Sequence, residues 1–359
     1  MTAPFSLAVD AMGGDRAPAI VVAGLDLAAE RHPEARFLLV GDEAQVAPLL
    51  SRYRRAKAAC TLRHAPEVIG DDMKPAAAVR ARQASMRVAI DAVAAGEASG
   101  VVSAGNTGAL LTLAKIVLKT LPGIDRPAMA AIGPSARGDV VMLDLGANVQ
   151  CDARNLAQFA VMGDVFARTV LGLTQPSIGL LNVGSEELKG DDTVRQAAEI
   201  VRASHIGPQF HGFVEGHDIA AGTTDVVVTD GFTGNVALKT GEGALKLIGV
   251  LLRQVFTGSL AARCGYLLAR PGLERLREWL DPRRYNGAVM VGLNGVVVKS
   301  HGGTDGEGFA HAVDVAMDMV MHRFNDLIRQ DLSRSGLDKP VSPDKNETQN
   351  KGGPRLATA

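Results

Sequence analysis

Residues 5–18 read FSLAVDAMGGDRAP: a short apolar run, an acid, paired glycines, and then Pro18, where a helical pattern begins and continues to about Arg31. The glycines let the backbone turn sharply and present N–H groups without Cβ obstruction. Proline suits the first turn of a helix. The same order of apolar run, small polar loop and helix recurs along the chain. FLLVG opens at Phe37 ahead of a helix near 45–53, and GVVSAGNTG at 100–108 precedes a helix from about Gly108 to Leu121. VVMLDLGAN at 140–148 leads to a helix near 155–171, SIGLLNVGSEELKG at 177–190 to one near 193–203, and DVVVTDGFTGN at 225–235 to one from about Val236. Strands alternating with helices predict an α/β fold with a mainly parallel sheet covered on both faces, three layers in all. Ligands of such sheets gather outside the carboxyl ends of the strands, so these loops are expected to converge on one site.

Two regions depart from the pattern. From about 243 to 281 the chain is helical without a strand: Leu245, Ile248, Leu252 and Val255 follow helical spacing, as do Leu273, Leu276 and Leu280, with Pro271 and Gly272 expected to separate the stretches. This excursion fits a dimer or membrane contact, or a helix pair packed on the core. Farther on, AVMVGLNGVVVKSHGG at 288–303 predicts a hairpin turned by Asn294-Gly295 in a type I′ turn. A last helix is expected from about Asp305 to Leu327. Residues 1–332 are read as a single catalytic unit, and 333–359, nearly without apolar residues, as a disordered polar tail.

The 359 residues are 47% hydrophobic and 21% charged, which gives ample material for a large core. Lys and Arg number 38 against 39 Asp and Glu, so the basic excess of a nucleic-acid binder is missing. Cys60, Cys151 and Cys264 lie far apart, and neither a disulfide framework nor a structural zinc site is expected. The N-terminal stretch lacks the basic region of a signal peptide. No apolar run reaches the roughly 18 residues of a spanning helix. A reducing cytoplasm, with a soluble or peripherally bound protein, fits these features.

The loops supply the candidate site residues. Asp10, Gly13, Gly14 and Asp15 form either a phosphate loop with flanking acids or a tight turn with solvated carboxylates. Ser103, Gly105, Asn106 and Thr107 form either an anion nest or a helix cap from Asn106 or Thr107. Asp144 and Asn148 follow another strand, and Asp230 and Asn235 a further one. Lys189, between glycines and ahead of a helix, is either a charge for an oxyanion or phosphate, or a solvated surface lysine. Lys299 and His301, two apart, share a face and are able to grip an anion or move a proton. No GxGxxG follows the first strand, and neither a GxSxG elbow nor an HExxH motif occurs. What remains is chemistry by positioning and electrostatic stabilisation, without a covalent nucleophile.

Taken together, the loops resemble those of the bacterial phosphate acyltransferases of phospholipid synthesis. The resemblance rests on LAVDAMGGDRAP, VVSAGNTGALL, LDLGAN, GLLNVGSEELKG, VEGHDI, DVVVTDGFTGNVALK and GLNGVVVKSHG, in that order across about residues 5–303. It implies a fold similar to phosphotransacetylases and isocitrate-type dehydrogenases, with a protruding helical hairpin. The implied reaction is attack of inorganic phosphate on the thioester of a long-chain acyl carrier protein, with no cofactor and no metal. It also implies a homodimer whose excursion touches the inner face of the membrane, Arg263 and Arg270 lying near anionic head groups, and a membrane glycerol-3-phosphate acyltransferase as the consumer of the product. On this reading Lys189 and His301 handle charge or protons, and Asn106 and Asn235 orient the reactants. Asp10, Asp144 and Asp230 shape loops in which Gly13, Gly14, Asp15, Ser103, Gly105, Thr107, Asn148 and Lys299 meet phosphate or the thioester end. Arg80, Arg82 and Arg87 are candidates for meeting the acidic carrier, against the alternative of a solvated helix face. Tyr285-Asn286-Gly287 departs from the two glycines expected after the tyrosine, and asparagine's tolerance of positive φ is expected to spare function. The rivals are a phosphotransacetylase-like enzyme using acyl coenzyme A, a nicotinamide-dependent decarboxylating dehydrogenase, and a non-catalytic membrane scaffold.

Overall fold

The short apolar runs are strands because neither face of them is left to water. LAVD and FLLVG are buried at every position, as strands sandwiched between helix layers must be. A computed structural model describes residues 6–339. In chain order the elements are β1 (Leu7–Asp10), α1 (Ala19–Arg31), β2 (Phe37–Gly41), α2 (Glu43–Leu50), α3 (Arg54–Ala59), β3 (Cys60–His64), α4 (Pro75–Ala78), α5 (Ser85–Ala94), β4 (Gly100–Ser103), α6 (Thr107–Leu118), β5 (Ala128–Ser135), β6 (Gly138–Leu143), α7 (Ala153–Val170), β7 (Ile178–Leu181), α8 (Asp192–Ala203), β8 (Phe210–Val214), α9 (Gly216–Ala221), β9 (Val226–Val228), α10 (Gly231–Thr257), α11 (Leu260–Trp279), β10 (Ala288–Val291), β11 (Val296–Lys299), α12 (Gly306–Met321) and α13 (Phe324–Arg334).

The strands form one 11-stranded sheet in the order β3-β2-β1-β4-β11-β10-β5-β6-β9-β7-β8. Alternate residues serve opposite layers. Leu7, Val9, Phe37 and Leu39 pack with α1, α7, α12 and α13, whereas Ala8, Leu38 and Val40 pack with α5 and α6. The fold is therefore the expected three-layer α/β/α sandwich on a mostly parallel sheet. Within it α7 is an inner helix, buried continuously from Asn155 to Ala167. Its Phe166 meets Phe324 edge-to-face at 6.2 Å between ring centroids, and truncating such a side chain typically costs about 3–5 kcal/mol.

The sheet changes direction at three consecutive seams, and the net result is a reversal. β5 runs antiparallel to both β10 and β6, and β10 antiparallel to β11. Consequently β1, β4 and β11 end at one edge of the ladder, and β6, β9 and β7 end at the other. The expectation that all the loops converge is corrected here: they form two sets. The hairpin at 288–299 forms, pairing Val289 with Val298, but not through a type I′ turn. Neither Asn294 nor Gly295 has positive φ; Gly292 does, at +89°.

α10 and α11 leave the body of the protein. α11 buries no residue, and α10 only Gly231 and Gly234. The pair bends by 120° between the two helices, at Gly258 and Ser259, where the Ser259 hydroxyl caps α11 by accepting from Ala262 N–H at 3.1 Å. Pro271 lies inside α11, so the expected break at Pro271-Gly272 is displaced to Gly258-Ser259. Among the described residues no single helix is long and apolar enough to cross a membrane. At the far end, α13 continues through Arg334 and Leu337 is buried. The boundary expected at 333 therefore falls later, and the remainder of that tail lies outside the described residues.

Candidate active site

β4 lies between β1 and β11 and runs parallel to both, so Asp10, Ser103 and Lys299 come to one edge. Asp10 is 1% exposed. Its carboxylate accepts from Ser85 Oγ at 2.6 Å, Ser103 Oγ at 2.7 Å and Met12 N–H at 3.1 Å. Burial pushes the Asp10 carboxyl up, and those hydrogen bonds oppose the rise. The side chain is spent on holding two loops together and cannot also face phosphate; the same holds for the Ser103 hydroxyl. A Cβ on Gly13 would stand 2.5 Å from the Gly105 amide nitrogen, so the loops touch backbone to backbone and only glycine fits there.

Around this joint stand the free groups. The Lys299 ammonium donates to Ala104 O at 3.2 Å and to Ser300 O. Burial pulls it down to about 8, against the pull of Asp71, Asp15 and Asp10. His301 is exposed, and its Nδ1 accepts from Gly303 N–H at 3.1 Å, which leaves Nε2 to carry the proton of the neutral ring. Asp15 donates its N–H to Gly302 O at 3.0 Å. Asn106 caps α6, accepting from Ala109 N–H at 3.0 Å, while its Nδ2 donates to Asp71 O at 2.8 Å. Asn106 is the cap, and the N–H groups of Thr107 and Gly108 stay without a partner among the described residues.

The second set, beyond β6, β9 and β7, is built differently. Asp144 is fully buried. Its carboxylate accepts from the N–H groups of Met129, Gly146, Ala147 and Asn148 at 2.8–3.1 Å and from Asn148 Nδ2 at 2.9 Å. The nest already holds an anion, the protein's own. The Asn148 Nδ2 donors are both used, the second going to Pro127 O at 2.7 Å. Asp230 caps α10 through Thr233 N–H at 2.9 Å. Asn235 is exposed beside Gly146. Lys189 is exposed on the loop after β7, and five strands separate β7 from β4 in the sheet. No hydrogen bond or salt bridge among the described residues joins the two sets.

A profile of the family described as "Fatty acid synthesis protein" matches residues 5–327. Proteins named "Phosphate acyltransferase" are 73% identical in Granulibacter bethesdensis, over 92% of this chain and 90% of that one, and 73% identical in Acidiphilium cryptum, over 91% and 86%. The chain belongs to the phosphate acyltransferase family. It is an acyltransferase of lipid biosynthesis. Among solved structures, a phosphotransacetylase from Streptococcus pyogenes superposes with a TM-score of 0.58 at 19% identity, covering 89% of this chain and 94% of that one. The EutD phosphotransacetylase from Staphylococcus aureus gives 0.57 at 17%, covering 88% and 94%. At such identities the likeness concerns the fold.

Within this family frame, several positions correct or extend the sequence reading. Arg87 is 7% exposed and paired with Asp91 at 2.8 Å, so it offers no surface to a partner; Arg80 and Arg82 are exposed. Ser85, which holds Asp10, carries no motif signal and went unread. So did the 70–73 loop that Asn106 grips. Asn286 does not occupy a positive-φ position; Gly287 does. Asn286 is instead buried and hydrogen-bonded, and its appearance beside a tyrosine and a glycine was the only hint of this.

Proposed function

We propose that the chain moves a long acyl group from the thioester of an acyl carrier protein to inorganic phosphate, giving acyl phosphate and the free carrier thiol. The observation that carries this reading is the β1–β4–β11 edge. There a partly buried amine lies on the same edge as N–H groups that have no partner among the described residues, while the Ser85 and Ser103 hydroxyls are spent on Asp10. We read such a place as an anion site in which phosphate itself attacks. A phosphate oxygen bonds to the carbonyl carbon, the C–S bond breaks, and the thiolate leaves to take up a proton. Lys299 opposes the phosphate charge. His301, through Nε2–H, steadies the oxyanion that forms on the carbonyl. The backbone N–H groups of Gly14, Thr107 and Gly108 hold phosphate, and Asn106 keeps α6 and the 70–73 loop in register. Asp144, Asn148 and Asp230 build the opposite loops, and Lys189 and Asn235 stay outside the reaction.

The excursion gives the enzyme its setting in this reading. Leu247, Ile248, Leu251, Leu267 and Leu268 are exposed on α10 and α11, with Arg263 and Arg270 among them. We assign this pair to homodimer contact and to attachment at the inner face of the membrane, where a membrane glycerol-3-phosphate acyltransferase consumes acyl phosphate for phospholipid synthesis. The test offers purified protein a long-chain acyl carrier protein or the matching acyl coenzyme A, with and without phosphate, and traps acyl phosphate with hydroxylamine. Phosphate-dependent product from the carrier thioester supports the reading. Product from coenzyme A alone replaces the donor, and none from either, with folded protein, rejects it.

A further inference from the structure

The segment returning the chain from α11 to the sheet runs beside the His301 turn. Within it Asn286 is 7% exposed. Its Oδ1 accepts the His301 N–H at 2.8 Å, and its Nδ2 donates to Ser300 Oγ at 2.9 Å and to Gly308 O at 2.6 Å. These partners fix the orientation of the amide, because turning it over would set N–H against N–H. Ser300 is fully buried and donates its N–H to Ser103 O at 2.9 Å, while Gly302 O accepts from Asp15 N–H at 3.0 Å. The turn is thus tied to β4, to the first loop and to Asn286. Among the described residues, Asn286 is the only side chain bonded to the His301 backbone.

We propose that Asn286 is a positioning residue of the reaction: its amide sets the His301 backbone, and through it the place of the imidazole on the turn after β11. The inference rests on the role assigned to His301 above. Neighbouring contacts support it. Arg283, three residues earlier, pairs with Asp281 at 2.5 Å and with Asp305, the cap of α12, at 3.4 Å. The Gly308 carbonyl that Asn286 grips lies in the first turn of that helix. The foot of the helical pair, the start of α12 and the His301 turn therefore share one hydrogen-bonded joint, with Asn286 at its centre. A neutral amide suits it. A carboxylate would face the Gly308 carbonyl, and an alanine would leave the His301 N–H and Ser300 Oγ without their partner.

The test makes Asn286→Ala and His301→Ala, singly and together, in the full chain, and measures kcat and KM for phosphate with the carrier thioester. Misplacing a reacting group by about 1 Å can cost about 10²-fold. Asn286→Ala is expected to lower kcat/KM by about that factor, mostly in kcat, but by less than about threefold once His301 is alanine, because coupled residues are non-additive. An equal loss in both backgrounds, or none in either, overturns the proposal. A second measurement needs no turnover: amide hydrogen exchange over 296–305. Asn286→Ala should speed exchange at His301 by about tenfold, one hydrogen bond's worth. Asn286→Asp, which keeps an acceptor there, should restore most of the protection and part of kcat. Unchanged exchange in Asn286→Ala also overturns it, and Asn286→Leu, which keeps bulk but has no acceptor, serves if the alanine variant does not fold. If wild type makes no acyl phosphate while exchange still responds, the reaction assignment has failed and the joint has not.

Discussion

Replacing Lys299 with methionine keeps most of the side chain's bulk and removes its charge. Burial pulls the Lys299 amine from the usual 10.5 to about 8. At about 1.4 kcal/mol per pKa unit, the fold prefers the uncharged amine by about 3 kcal/mol. Below about pH 8 the folded protein carries the ammonium at that cost. Between about 8 and 10.5 the unfolded chain still binds a proton that the fold has released, so the lysine's contribution makes the wild-type protein more stable as pH rises through this window. Methionine contributes no such slope. Relative to wild type, Lys299→Met should therefore be more stable at about pH 7 than at about pH 10.5, by about 3 kcal/mol. A constant offset from the lost bonds to Ala104 O and Ser300 O does not change that difference. Activity moves the other way. A hydrogen bond to a charged group is worth about 1.5–3 kcal/mol, so kcat/KM for phosphate should fall roughly 10- to 150-fold. Urea midpoints at the two pH values and initial rates at the lower one measure both. A stability difference independent of pH, or a wild-type rate, would refute the reasoning.

Other substitutions probe the remaining parts. Asp144→Ala takes the acceptor from a buried nest of N–H groups and should cost at least about 3 kcal/mol in urea unfolding; a loss below about 1 kcal/mol would mean the nest tolerates vacancy. Lys189→Ala should change kcat and the phosphate KM by less than about threefold, the range of an ordinary surface substitution, and a tenfold loss would bring the loop after β7 into the reaction. Leu268, 87% exposed on α11, should as aspartate leave the unfolding midpoint unchanged while lowering co-sedimentation with anionic vesicles by about threefold or more. Equal vesicle binding would remove α11 from the membrane contact.

The sequence was most readable where burial is uniform. LAVD, FLLVG and VVML have no polar face, and each is followed by a helix whose periodicity is plain. It was least readable where strands are half exposed or interrupted. CTLRH at β3 lies at the sheet edge with its residues partly exposed, AMAAIGPS at β5 carries a Gly-Pro pair, and FHGFV at β8 a central glycine. The antiparallel seams had the largest consequence, because β11–β10, β10–β5 and β5–β6 together reverse the ladder and divide the loops between two edges. The last helix is two, α12 and α13, separated at Arg323, whose φ is +53°. Within the site, Gly13, Asn106, Lys299 and His301 came together as their loops suggested. Asp10 and Asp144 turn their carboxylates inward: a loop motif marks an acid at the end of a strand, but only packing reveals whether the carboxylate faces a ligand or the protein's own N–H groups. Ser85 and Asn286 act through side-chain bonds to residues 75 and 15 positions away, a distance over which no local pattern carries information.

The central claim is that phosphate sits at the β1–β4–β11 edge. The most direct measurement is amide hydrogen exchange of the full chain with and without saturating inorganic phosphate. The account predicts protection confined to residues 13–16, 103–108 and 299–303, and its loss in Lys299→Met. Protection at 144–148, 182–190 or 230–235 instead, with the first set unchanged, would contradict it.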